Sequence, residues 1–179
     1  MTRTFISILA ALAVAGCSKP QPPAAPAPLP PPLPAPTPPP LPAVEPPAAG
    51  TPGGLPDDGT PLNEGPAAAG SAQAAATVVE TYYALLEAGK AGEAAKLRSD
   101  GAVEDLKAYS ELHAQVGAPG RVEGAAGSLY VEVPVVLYGR LASGAELHRS
   151  GKAVLRRVNG VPGATAEQLR WRIERVELK

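Results

Sequence analysis

The second half of this chain predicts an α+β domain, in which N-terminal helices pack on a curved antiparallel sheet. Two observations carry that prediction. Apolar residues recur with a period near 3.6 as far as Val116, and with a period of 2 after Gly120. Between the two patterns, Gly117-Ala118-Pro119-Gly120 is a break that neither a helix nor a strand crosses.

Ser71 is a fitting N-cap for a first helix over 72–88, where Ala75, Val78, Val79, Tyr82, Leu85 and Leu86 fall on one stripe. Gly89 supplies its C-terminal stop. A short second helix is expected over 91–97, followed by Ser99-Asp100-Gly101. A third helix is expected over 102–116, because Leu106, Tyr109, His113 and Val116 lie within about 80° on a helical wheel.

Strands follow. Residues 121–125 read as a short one, and Leu129, Val131, Val133, Val135 and Leu137 then alternate with Tyr130, Glu132, Pro134, Val136 and Tyr138. Pro134 inside this run predicts an edge or a bulge, since proline cannot donate to a ladder. A hairpin turn over 139–144 leads to a return strand over 146–158, a loop over 159–163 and a last strand over 168–178. Trp171 and Ile173 share one parity and Val176 and Leu178 the other, which predicts a bulge near Glu174.

The first half of the chain is different in kind. The protein has 179 residues with 23 Pro and 19 Gly, and every proline except Pro119, Pro134 and Pro162 falls between Pro20 and Pro66. Proline at this density excludes helix and sheet and leaves polyproline II, so Pro20 to Pro47 predicts a semi-rigid arm of up to about 87 Å. Residues 48–66 are richer in Gly, Thr and Asp and read as a soft joint. Pro-x-x-Pro matches are unavoidable in such a run, so a spacer is favoured over a docking motif. The expected organisation is a leader over 1–16, a disordered Pro/Ala/Gly-rich spacer over 17–70 and one domain over 71–179.

The leader has a positive start at Arg3, an apolar stretch from Phe5 to Ala13 and small residues Val14, Ala15 and Gly16 ahead of the single cysteine, Cys17. The apolar stretch is well short of the ~20 residues that an α-helix needs to cross a bilayer. One cysteine excludes an intramolecular disulfide and zinc sites of finger type. Val14-Ala15-Gly16-Cys17 resembles the lipobox of bacterial lipoproteins, with Val14 where Leu is commonest. That resemblance implies lipid attachment at Cys17, with an ordinary cleaved leader as the alternative, and a membrane partnership through the acyl chains. Ser18 after the cysteine implies, by the same resemblance, sorting to the outer membrane on its periplasmic side.

The stretch from Val78 to Lys90, a short Ala-rich helix, a third helix and a meander ending in Trp171-Arg172-Ile173 look like the nuclear transport factor 2-like (cystatin-like) superfamily. The resemblance covers about 72–179 and rests on element order and core pattern. It implies a cone-like sheet with a pocket at its wide end, which in some members is catalytic and in others binds ligands or proteins. Dimers are common in that family, so a homodimer is among the expected states.

Candidate pocket residues are Tyr82, Tyr109, His113, Tyr130, Glu132 and Tyr138, with His148 a weaker one flanked by Glu146 and Arg149. Proton abstraction next to a carbonyl needs a base and a donor converging on one oxygen, and Tyr82, His113 and Glu132 are the residues that could supply them. None lies in a recognisable catalytic motif, so no catalytic residue is assigned. No metal-ligand spacing and no phosphate-binding glycine loop occurs, so neither a metal nor a cofactor is expected.

Charge is uneven: residues 71–119 hold 4 Lys or Arg against 7 Asp or Glu, whereas residues 120–179 hold 10 against 6. The excess predicts a basic sheet face built from Arg149, Lys152, Arg156, Arg157, Arg170, Arg172 and Arg175. An anionic envelope polymer or an acidic envelope protein would suit such a face, and nucleic acid would not at so low a net charge. The plainer reading is a solvated face whose arginines pair with Glu132, Glu174 and Glu177. Together these features predict an envelope-tethered lipoprotein whose domain is a non-catalytic binding module, with a pocket enzyme of isomerase, dehydratase or cyclase type as the alternative.

Overall fold

A computed structural model describes residues 41–57 and 66–179, all within one compact unit, Leu41–Lys179. The expected leader, Cys17 and the expected spacer as far as Pro40 lie outside the described residues, as do 58–65.

Helix α1 spans Ala72–Glu87. The Ser71 hydroxyl accepts a hydrogen bond from the Ala74 N–H at 3.2 Å, satisfying one donor of the first turn. At the other end Gly89 has φ +71°, and the Gly89 and Lys90 N–H groups donate to the Leu86 and Leu85 carbonyls at 2.9 and 2.8 Å. That pair of bonds is a Schellman closure, which requires a left-handed residue and is available cheaply only to glycine. Helix α2 is one short turn, Ala91–Ala95.

The expected third helix does not form. Its first part is a 3₁₀ turn, Leu106–Ala108, with the Asp105 carboxylate accepting from the Lys107 N–H at 3.1 Å. Its second part is strand β1, Tyr109–Val116. The physical reason is visible in the residues: Leu112, Ala114 and Val116 alternate with Glu111, His113 and Gln115, and extended they pack three apolar side chains against the core while His113 takes the other face. A helix there would also leave the long central strand without a partner on that side.

Four further strands complete the sheet: β2 Glu123–Ala125, β3 Ser128–Leu141, β4 Glu146–Val158 and β5 Arg172–Leu178. The order is β1-β3-β4-β5, with β2 beside β3 past the end of β1, and every pairing is antiparallel. The result is an open five-stranded sheet with α1 packed on one face, an α+β arrangement. The last strand starts at Arg172 rather than Gln168, because Gln168 is held in a turn where its side-chain carbonyl accepts from the Thr165 N–H at 2.9 Å.

The bulge near Glu174 is present. Leu155 pairs with Ile173 and Val154 with Arg175, so Glu174 is the extra residue. It restores parity, and Ile173, Val176 and Leu178 all join the core despite their odd spacing. A second bulge lies between Tyr109 and Glu111 on β1, opposite Leu141 and Arg140 of β3, one pair before Gly139 meets Leu112. Gly139 has φ +137°, and a Cβ there would run into the Glu111 carbonyl.

The main core lies between α1 and the sheet. Val79, Tyr82, Tyr83 and Leu86 of the helix meet Val131, Val133, Val135, Leu137, Ala153, Leu155, Trp171 and Ile173. Each large side chain buried this way contributes about 1.5–3 kcal/mol.

Pro134 is in the central strand, not at an edge. Its carbonyl accepts from the Gly117 N–H at 2.9 Å, so its nitrogen faces the same way, toward the gap where β1 has ended and β2 has not begun. No ladder donor is needed at that point.

Residues 41–57, assigned by composition to the spacer, lie on the outer face of the sheet, opposite α1. Val44 is buried, Arg140 donates to the Pro42 carbonyl at 2.8 Å, and Leu55 closes on Gly117 and Pro134. Within this strap the Gly50 N–H donates to the Leu55 carbonyl at 2.8 Å and Gly54 to Thr51 at 3.0 Å. Gly54, Leu55 and Pro56 share a cavity of about 740 Å³ with Val136, Lys152 and Leu178.

Candidate functional site

The six candidate pocket residues do not form one pocket, because the sheet separates them. Tyr82 is buried on α1 and Tyr109 is half-buried at the start of β1, both on the helix-covered side. His113 pairs across β1 and β3 with Tyr138, and with Tyr130 and Glu132 these positions face outward. A helical His113 would have pointed inward; as a strand residue it alternates with Leu112 and Ala114, which are partly buried against the core.

On the helix-covered side a polar cluster closes the end of the core. The Tyr109 hydroxyl donates to Glu104 Oε2 at 3.1 Å. Arg98 forms a two-pronged ion pair with Asp100, Nε to Oδ1 at 2.8 Å and Nη2 to Oδ2 at 2.9 Å. Tyr82, Arg98, Ala102, Val103, Glu104 and Val176 line a cleft of about 280 Å³.

The charges follow from these contacts. Burial raises the Tyr82 phenol above its ordinary pKa, and nearby Arg98 partly offsets that. Tyr83 is raised much further, again chiefly by burial, and its hydroxyl has no hydrogen-bond partner among the described residues. Tyr109 is raised by burial and by Glu104. The Arg98 guanidinium, helped by the Ala102 N–H, holds the Asp100 carboxyl well below the usual carboxylate range. The phenols therefore remain protonated at neutral pH, as donors rather than bases.

On the outer face His113 is flanked by Glu111 at 3.3 Å and Glu87 at 3.8 Å, and its ring lies 5.3 Å from that of Tyr138. Glu87 Oε1 also accepts from the Ala114 N–H at 2.9 Å, which occupies a donor on the open side of β1. His148 lies 3.9 Å from Glu146 and is exposed. Glu132 is held by Lys152 Nζ at 2.6 Å, and this contact raises the lysine pKa.

The expected basic face is divided as well. By register Arg149 and Arg157 are on the helix-covered side; Arg149 donates to the Leu178 carbonyl at 3.4 Å, and Arg157 lies over the Trp171 ring at 5.7 Å. Lys152 is paired with Glu132, and Arg175 with Glu177 at 2.6 Å, a contact that lowers the Glu177 carboxyl. The remaining three gather elsewhere: Arg156, Arg170 and Arg172, with Ser99, Val158, Glu167, Gln168 and the neighbouring Arg157, line a cleft of about 250 Å³ at the β5 end of the sheet.

Arg98, Asp100 and Glu104 are the site residues that sequence reasoning missed. The signal available was a short acidic and apolar run, Asp100 to Leu106, too brief to bury itself as a helix after Gly101. Among the described residues no group of three His, Cys, Asp or Glu side chains gathers as metal ligands. No helix among the described residues is long and apolar enough to cross a membrane. Compared with known proteins, the chain matches no family model, no curated protein and no solved structure.

Proposed function

We propose that this chain is an envelope-tethered lipoprotein whose small domain acts as a non-catalytic binding module, with the Pro-rich segment as spacer. The observation that carries the tether is Cys17 directly after a short apolar leader ending in Val14-Ala15-Gly16. The outer membrane is the address that Ser18 suggests, with the periplasmic side as the proposed location. An anionic envelope polymer or an envelope protein is the class of partner. The nuclear transport factor 2-like reading draws support from helices followed by a meander, and loses some where β1 replaces the third helix.

The non-catalytic reading is supported by the division of the candidate residues. A pocket enzyme built on Tyr82, His113 and Glu132 needs all three around one substrate, and the sheet lies between the first and the other two. The test is intact mass of the mature protein, with fractionation of the wild type beside Cys17→Ser. A mass that starts at acylated Cys17, and release of the mutant from the membrane, is the expected result. A soluble wild type with an unmodified thiol refutes the tether.

A further inference from the structure

The outer face places two like charges at directly opposed strand positions. Arg156 of β4 and Arg172 of β5 are directly opposite one another in the antiparallel register. Like charges in that relation are destabilising. Arg170, on the turn before β5, brings a third guanidinium to the same cleft, and Glu167 is the one carboxylate among the lining residues.

That carboxylate is already shared. Arg172 Nη2 reaches Glu167 at 2.8 Å and Arg170 Nη1 at 3.2 Å, while Arg172 Nη1 donates to the Lys96 carbonyl at 2.7 Å. Arg156 is left out of this arrangement. Its Nε donates to the hydroxyl of Ser128, a buried side chain, at 3.1 Å. This bond fixes the plane of the guanidinium, and among the described residues no carboxylate meets its two Nη groups.

We propose that the cleft between Arg156, Arg170 and Arg172 is a binding site for a phosphate group. Arg157 also lines the cleft, but its guanidinium lies over Trp171 and donates to the Ala69 carbonyl, so the three others against one carboxylate leave at least two positive charges uncompensated, which a phosphate dianion matches and a single carboxylate does not. Guanidinium forks also meet phosphate oxygens in pairs, with shorter and stronger bonds than neutral donors make. The phosphate comes either from a soluble molecule or from a lipid headgroup. This inference rests on the binding-module reading but not on the lipid anchor.

The experiment uses the full chain carrying Cys17→Ser, so no acyl group contributes membrane affinity, and a negative result leaves the anchoring test untouched. Inorganic phosphate is titrated calorimetrically. Vesicles of phosphatidic acid, whose headgroup is a phosphate monoester, in phosphatidylcholine are compared with phosphatidylcholine alone by co-sedimentation. Arg156→Gln is expected to weaken binding by about tenfold or more, the loss of one charge-assisted contact. Arg175→Gln removes the same charge from the same face, but from a guanidinium already engaged by Glu177, and is expected to change binding less than about twofold. Without phosphate, Arg156→Gln is expected to melt higher than the wild type, because it relieves the opposed pair. Binding of phosphate alone identifies a soluble ligand, binding of anionic vesicles alone a headgroup, and either supports the site. No binding of either probe, or equal losses in the two variants, overturns it.

Discussion

On the helix-covered side of β3, Val131, Val133, Val135 and Leu137 are fully buried in one continuous core. On the outer side of the same strand Glu132 is paired with Lys152, Tyr138 lies beside His113, and buried Val136 stands outside that core, in a cavity it shares with Leu55. One strand thus contributes to two surfaces whose cohesion has different sources. The first depends on apolar area removed from water by a helix with defined caps. The second depends on exposed ion pairs of small net worth and on a strap of chain with little secondary structure. Stability resides on the first face, and recognition chemistry has room on the second.

The largest effect is expected on the core side. Leu137→Ala should cost about 3 kcal/mol in chemical denaturation, as a cavity opens among neighbours that cannot close it. A cost under about 1 kcal/mol would mean that the helix-covered face is not the stable one. Val44→Asp should cost no more than about 2 kcal/mol and should act locally, making 41–57 susceptible to limited proteolysis while α1 and β3 stay protected. Global unfolding of that variant would erase the distinction between the faces. The smallest effect has the opposite sign. Tyr83→Phe removes a buried hydroxyl that has no partner among the described residues and should stabilise the domain by about 1 kcal/mol, whereas a loss would reveal a partner for that oxygen.

Much of the fold was legible in the residues, because α1 and β3 each present one unambiguous period. The bulge at Glu174 was legible too, since Trp171, Ile173, Val176 and Leu178 can share a face only if one residue is skipped. Tyr109–Val116 was not, because it satisfies both periods: Tyr109, His113 and Val116 form a helical stripe, and Leu112, Ala114 and Val116 an alternating one. What decides between them is the demand of β3 for a partner, a non-local term absent from any window of sequence. The candidate site suffered most from this ambiguity, since turning His113 from helix to strand moves it to the other side of the sheet. The strap was invisible for a related reason. Its prolines forbid regular structure, which is compatible with free chain and with chain laid on a surface alike, and only Val44 and Leu55 hint at the latter.

Arg140 holds the Pro42 carbonyl at the same end of the strap where Val44 is buried, so tension entering the described chain at Leu41 meets these contacts before it reaches Ser71 and α1. The strap then works as a mechanical fuse. Under load it peels from the outer face first, releasing 41–57, a segment of about 56–61 Å when fully extended, while the helix-covered core stays shut.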